Sequence, residues 1–123
     1  MPIRVLVVDD SAVVRRLLAR YLGEELDIEV VGKARNGEHA IARVAELSPD
    51  VVTMDVEMPV CDGVEAVRRL REDHPKLPVF MVSSHTERGS RAAMDALVAG
   101  ATGEIIATNN HGKDGLERWI REN

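Results

Sequence analysis

The chain has 123 residues, 45% hydrophobic and 30% charged, the balance of one globular domain rather than of a disordered segment. No apolar run approaches the roughly 18 residues that a membrane span needs, and a net charge of −5 gives no support to nucleic-acid binding. The opening MPIRVLVVDD has no basic region leading into a long apolar stretch, and Cys61 is the single cysteine, so neither a secretory leader nor an internal disulfide is expected, and the expected compartment is the reducing cytoplasm.

Short apolar runs alternate with segments of helical period. Ile3–Val8 is the first run, almost all Val, Ile and Leu, as in a strand covered on both faces of a parallel sheet. Val14, Leu17, Leu18, Tyr21 and Leu22 then share one helical face. Ile28–Gly32 is the second strand, and the helix after it turns Ala40, Ile41, Val44 and Ala45 inward before Ser48-Pro49-Asp50 closes it. Val51–Met54 is the third strand, followed by a stripe of Val64, Val67 and Leu70. Val79–Val82 is the fourth, followed by Ala93, Met94, Leu97 and Val98, with Gly100 as the stop. Glu104–Ala107 is the fifth strand, and Leu116, Trp119 and Ile120 mark a last helix. Strand alternating with helix implies right-handed crossovers and an α/β three-layer sandwich. Five strands in so short a chain favour a flavodoxin-like parallel sheet of order 2-1-3-4-5 over a barrel. Residues 1–123 read as one domain, with no linker or low-complexity segment.

In such sheets ligands bind at the carboxyl ends of the strands, where the strand order reverses. That point lies between the first strand, which runs into Asp9 and Asp10, and the third, which runs into Asp55. Converging carboxylates repel and raise one another's pKa, and a hard cation such as Mg²⁺ relieves them by taking one or two carboxylates, a carbonyl and waters. The plain alternative is acids at strand ends, each exposed to solvent. Mg²⁺ beside an aspartate suggests phosphoryl chemistry, with Asp55 as nucleophile and Asp9 and Asp10 holding the metal. Asp55-Val56-Glu57-Met58-Pro59 and Asp62-Gly63 form a tight loop beyond it, stiffened by Pro59 and turned at Gly63. Ser83, after the fourth strand, is placed to donate to a phosphate oxygen, although serine there also commonly caps a turn.

With Val7-Val8-Asp9-Asp10-Ser11, Asp55-Val56-Glu57-Met58-Pro59, Gly63 and Ser83 in this order, the chain resembles a response-regulator receiver domain from Ile3 to about Ile120. Val82-Ser83-Ser84-His85-Thr86-Glu87-Arg88-Gly89-Ser90, with Asp-Val-Glu-Met-Pro, looks most like the receiver of chemotaxis protein-glutamate methylesterases. The resemblance implies that Asp55 is the phosphoacceptor, and that Asp10, Asp55 and the Glu57 backbone carbonyl ligate Mg²⁺, with Asp9 acting through water. It also implies that Ser83 is the switch hydroxyl. The phosphoryl donor would be a histidine kinase and the target a downstream output domain or protein partner, with no role for nucleic acid or membrane.

The fifth strand departs from that family. A receiver usually carries an aromatic residue there, then a lysine and a cis-proline; aligned from Gly100-Ala101, those positions hold Glu104, Ala107 and Thr108. Lys33, Lys76 and Lys113 are the only lysines, and none has the position of the missing one. A lysine on a phosphate oxygen makes a charge-assisted bond of roughly 1.5–3 kcal/mol, so its loss should impair or reroute switching. A cis bond before a non-proline costs about 2.5–4 kcal/mol, so Ala107–Thr108 is expected to be trans. Three readings follow: a phosphoacceptor domain with atypical switching, a phosphorylation-independent protein-binding module, and a Mg²⁺-dependent phosphohydrolase. The last needs an Asp-x-Asp motif and a downstream lysine, whereas the sequence is Asp9-Asp10-Ser11. No metal spacing links His39, His74, His85 and His111, and Tyr21 and Trp119 read as core or boundary residues.

Overall fold

The computed structural model describes residues 2–24, 27–56, 58–83, 95 and 98–106. In chain order they form β1 (Ile3–Val8), α1 (Ala12–Gly23), β2 (Ile28–Ala34), α2 (Gly37–Leu47), β3 (Val51–Asp55), α3 (Gly63–Asp73), β4 (Val79–Ser83) and β5 (Gly103–Ile106). The strands make one parallel five-stranded sheet in the order β2-β1-β3-β4-β5, the order favoured from the sequence. The last helix expected from Leu116, Trp119 and Ile120 lies outside the described residues, as does Ala107 at the end of the expected fifth strand.

Alternation along each strand splits the core into two layers. Leu6, Val8, Val52, Met54, Val79 and Met81 meet Ala40 and Val44 of α2 and Ala66, Val67 and Leu70 of α3. On the opposite face Val5, Val7, Val51, Phe80 and Val82 pack with Leu22 of α1, and Leu18 rests against them. Val5 to Val8 are therefore all fully buried, which is why these four positions are apolar, while Arg4 sits before them where the strand is only half-buried.

Each described helix starts on a side-chain cap. The Ser11 hydroxyl accepts the Val14 N–H, Asn36 Oδ1 accepts the His39 N–H, and Asp62 Oδ1 accepts the Glu65 N–H. His39 returns the favour to α2, its Nδ1 accepting the Arg35 N–H in a variant of the capping box. At the other end of α2, Ser48 adopts the left-handed conformation at φ 47°, and Pro49 follows.

Three expected faces are narrower than the sequence pattern suggests. Leu17 and Tyr21 are each 47% exposed, because only the Leu18–Leu22 stripe of α1 rests on the sheet. Ala45 lies on the outer side of α2, where Leu47 packs inward instead. Val98 is 87% exposed and so is not buried, while Ala93, Met94 and Leu97 of the same expected stripe lie outside the described residues. β2 also runs on to Ala34, past the expected Gly32, with a bulge at Val31: Val5 pairs with Val30, but Leu6 pairs with Gly32.

Thr53 interrupts the inner layer of β3. It is 1% exposed, stands between Val7 and Phe80 in register, and its hydroxyl has no hydrogen-bond partner among the described residues. A buried, unsatisfied hydroxyl costs free energy that a valine of the same shape would not. Thr53→Val should raise the unfolding free energy by about 1 kcal/mol in urea denaturation. A loss of stability would mean that the hydroxyl has a partner in the folded protein.

Candidate functional site

The chain leaves β1 toward β2 on one side, while β3 lies on the other, so a crevice opens at the carboxyl ends of β1 and β3. Val8 pairs with Met54, and the residues that follow are Asp9 and Asp55. Asp9, Asp10 and Asp55 each offer one carboxylate oxygen to a group whose members all lie within 4.8 Å of one another. Asp9 is buried at 4% exposure, Asp55 is half-buried and Asp10 is open to solvent. The topology thus gathers the acids predicted from the sequence.

The turn carrying Asp9 and Asp10 is tied down at every backbone group of Asp9. Its N–H donates to the Ala34 carbonyl at the end of β2, and its Oδ1 accepts the Ser11 N–H at 2.9 Å. Its carbonyl accepts from the Arg15 guanidinium at 2.6 Å. Burial pushes the Asp9 carboxyl above the usual aspartate range; the Ser11 N–H opposes this, Asp10 adds to it, and Arg15 partly offsets it. Arg15 was not among the residues singled out from the sequence. Its signal was positional, since a residue in the first turn of α1 can reach back to the end of β1.

The loop beyond Asp55 is held just as closely. A Cβ on Gly63 would collide with the Asp55 carbonyl oxygen, while the Gly63 N–H donates to the Val56 carbonyl at 2.9 Å. Glycine is therefore required here by close approach, where the sequence suggested only a turn. The Gly37 N–H, at the start of α2, donates to the Cys61 carbonyl at 2.9 Å, and the Cys61 side chain fills the space beside Gly37. Burial raises the Cys61 thiol pKa, so it behaves as a packing group and not as a thiolate. Between these anchors Val60 takes φ 71° and stands exposed, a strained conformation for a β-branched residue.

Asp55 pairs with Val82 of β4, which puts Ser83 one residue further along the neighbouring strand and opposite Ile106 of β5. The Ser83 hydroxyl and the Glu57 carbonyl lie outside the described residues, as does the Ala107–Thr108 bond. Lys33 sits in β2, on the far side of β1 from β3, and Lys76 in the turn before β4, at the opposite end of the sheet. Among the described residues, Arg15 is the cation whose field bears on Asp9.

The donor set fits a hard divalent cation: oxygen ligands only, at cation-bridging separations, with one carboxylate already desolvated. Folding holds the Asp9 pKa above its unfolded value. It therefore favours the protonated carboxyl, a contribution complete below the unfolded pKa and lost as pH rises through the folded one. Asp9→Asn keeps an acceptor for the Ser11 N–H and removes one charge. Without divalent metal at neutral pH, this variant should melt a few degrees above the parent, and Mg²⁺ should raise its melting temperature less than the parent's. Equal melting in the absence of metal would mean that gathering the acids costs nothing.

A family model for the response regulator receiver domain matches residues 5–111. Over 113 residues the chain is 52% identical to a protein-glutamate methylesterase/protein-glutamine glutaminase of Nocardioides sp., a match covering 92% of this chain and 31% of that protein. The Bacillus subtilis protein of the same name is 52% identical over 99 residues, 80% of this chain and 28% of the relative. The chain thus spans about a third of the length of these relatives. Among solved structures, the response regulator domain of Thermotoga maritima CheB matches with a TM-score of 0.83 at 37% identity, over 99% of this chain and 93% of that one. A chain of the CheX-CheY-BeF3-Mg²⁺ complex from Borrelia burgdorferi matches at 0.83 and 26% identity, over 98% and 89% of the two chains.

Proposed function

The chain belongs to the response-regulator receiver domain family, and on that premise we propose that Asp55 accepts a phosphoryl group from a histidine kinase in the presence of Mg²⁺. The observation that carries this reading is the meeting of Asp9, Asp10 and Asp55 within 4.8 Å at the switch point of the sheet. Asp10 and Asp55 would hold the cation directly, with the Glu57 carbonyl as a further ligand and Asp9 through water. When bound, Mg²⁺ supplies positive charge against the phosphate oxygens. A carboxylate oxygen of Asp55 attacks phosphorus, the phosphorus–nitrogen bond of the phosphohistidine breaks, and the imidazole nitrogen leaves with the bonding pair. Ser83, at the end of the strand next to Asp55, would follow the phosphate as the switch hydroxyl.

The crowding of Gly63 against Asp55 and the clamp of Gly37 on Cys61 support a nucleophile whose backbone is fixed before the donor arrives. Residues 1–123 would act as one receiver unit. Within a longer protein on the plan of its relatives, the output would be a methylesterase domain, and the setting the cytoplasm. Among the described residues no helix is long and apolar enough to cross a membrane.

A second reading draws on β5. Glu104 lies in this strand opposite Met81, at the position the family usually gives to an aromatic residue, and the usual lysine position is Ala107. Without these groups phosphate has less hold on the neighbouring surface, so switching would be impaired or atypical. In the limit, the domain would bind its partner without phosphorylation.

Intact mass after incubation with acetyl phosphate and Mg²⁺ separates the two. The phosphoacceptor reading expects a metal-dependent, hydroxylamine-labile adduct that is absent from Asp55→Ala. No adduct on a folded chain that binds Mg²⁺ would leave the phosphorylation-independent module.

A further inference from the structure

We infer that Arg15 is a positioning residue for the acidic site, holding the turn after β1 so that Asp9 and Asp10 stand within reach of Asp55. The inference rests on the metal-site reading above and adds to it a residue that touches neither metal nor phosphate. Asp9 is where the chain leaves the sheet and has not yet entered α1, so its carbonyl has no ladder or helix partner of the ordinary kind. It is also 4% exposed, so water has little access to it. Arg15 fills this gap from the first turn of α1, six residues along the chain, with a 2.6 Å bond to that carbonyl.

The other groups of the turn are already committed. The Asp9 N–H is used by Ala34, Asp9 Oδ1 by the Ser11 N–H, and the Ser11 hydroxyl by the Val14 N–H. Arg15 is itself built into the helix, its N–H donating to the Ser11 carbonyl at 2.9 Å. The guanidinium therefore closes a ring of bonds running from β1 through the turn into α1 and back. Removing it strands a buried carbonyl, which recovers a partner only by rotating the peptide that joins Asp9 to Asp10. That peptide sets the direction of both side chains, so the cluster loosens.

Arg15 also brings positive charge to the edge of the site, and this makes the inference testable by sign. Were charge its only role, deleting it would remove repulsion toward Mg²⁺ and tighten binding. A positioning role predicts the reverse, since support behind metal ligands commonly affects affinity by an order of magnitude.

Calorimetric titration of the full chain with Mg²⁺ reads the difference, with far-UV circular dichroism to show that each variant is folded. Arg15→Ala should weaken Mg²⁺ binding about tenfold. Arg15→Lys keeps the charge but not the planar fork, and should weaken it to a smaller extent; it also provides the measurement if the alanine variant fails to fold. Unchanged or tighter binding in the folded variant would overturn the role of Arg15 while leaving the site itself in place. A parent chain that binds no Mg²⁺ at millimolar concentration would instead overturn the reading of the site, and the inference with it.

Discussion

The central strands β1 and β3 are covered on both faces, and this burial governs where charge can appear. Val5 to Val8 and Val51 to Met54 lie in a layer with helices on either side, and no carboxylate can be accommodated along it without a partner. Acids are admitted only where the strands run out. Because β1 and β3 are neighbours and parallel, they run out at the same edge and at nearly the same height. The acidic site is thus a consequence of how the sheet is buried, and the repulsion within it is a cost that a bound divalent cation would offset.

A site assembled from strand ends needs loops that do not relax. Two contacts supply this on the β3 side. Gly63 brings the start of α3 against the Asp55 carbonyl, and Gly37 brings the start of α2 against Cys61. On the β1 side, Ser11 caps α1 while Asp9 and Arg15 close the turn through their own bonds. The site residues stand on rigid elements, and their neighbours are fixed through backbone groups. Strain at Val60 is tolerated because the residues around it are held on both sides.

β5 stands at the edge of the sheet farthest from β2. It pairs with β4 in regular register from Gly103 to Ile106, with Glu104 opposite Met81. Edge strands tolerate polar residues more readily than central ones. The carboxylates gather inward of this edge, between β1 and β3. Arg71 helps to fix the approach to this edge: its guanidinium reaches from α3 to the Gly100 carbonyl at 2.8 Å, just before β5.

The sequence by itself determined the order of strands and helices and the three acids. Val-rich runs alternating with helical stripes favour a buried parallel sheet, and the crossover rule leaves only a few topologies for it. It also carried the caps at Ser11, Asn36 and Asp62, because a capping bond spans only a few residues. Tertiary structure decided what depends on distance in space. Whether Leu17 and Tyr21 face the sheet depends on how far α1 rolls over β1 and β2, which helical period does not specify. Whether residue 63 must be glycine depends on how near α3 comes to Asp55. The part played by Arg15 depends on a carbonyl left without a partner, and only the packed turn shows which carbonyl that is.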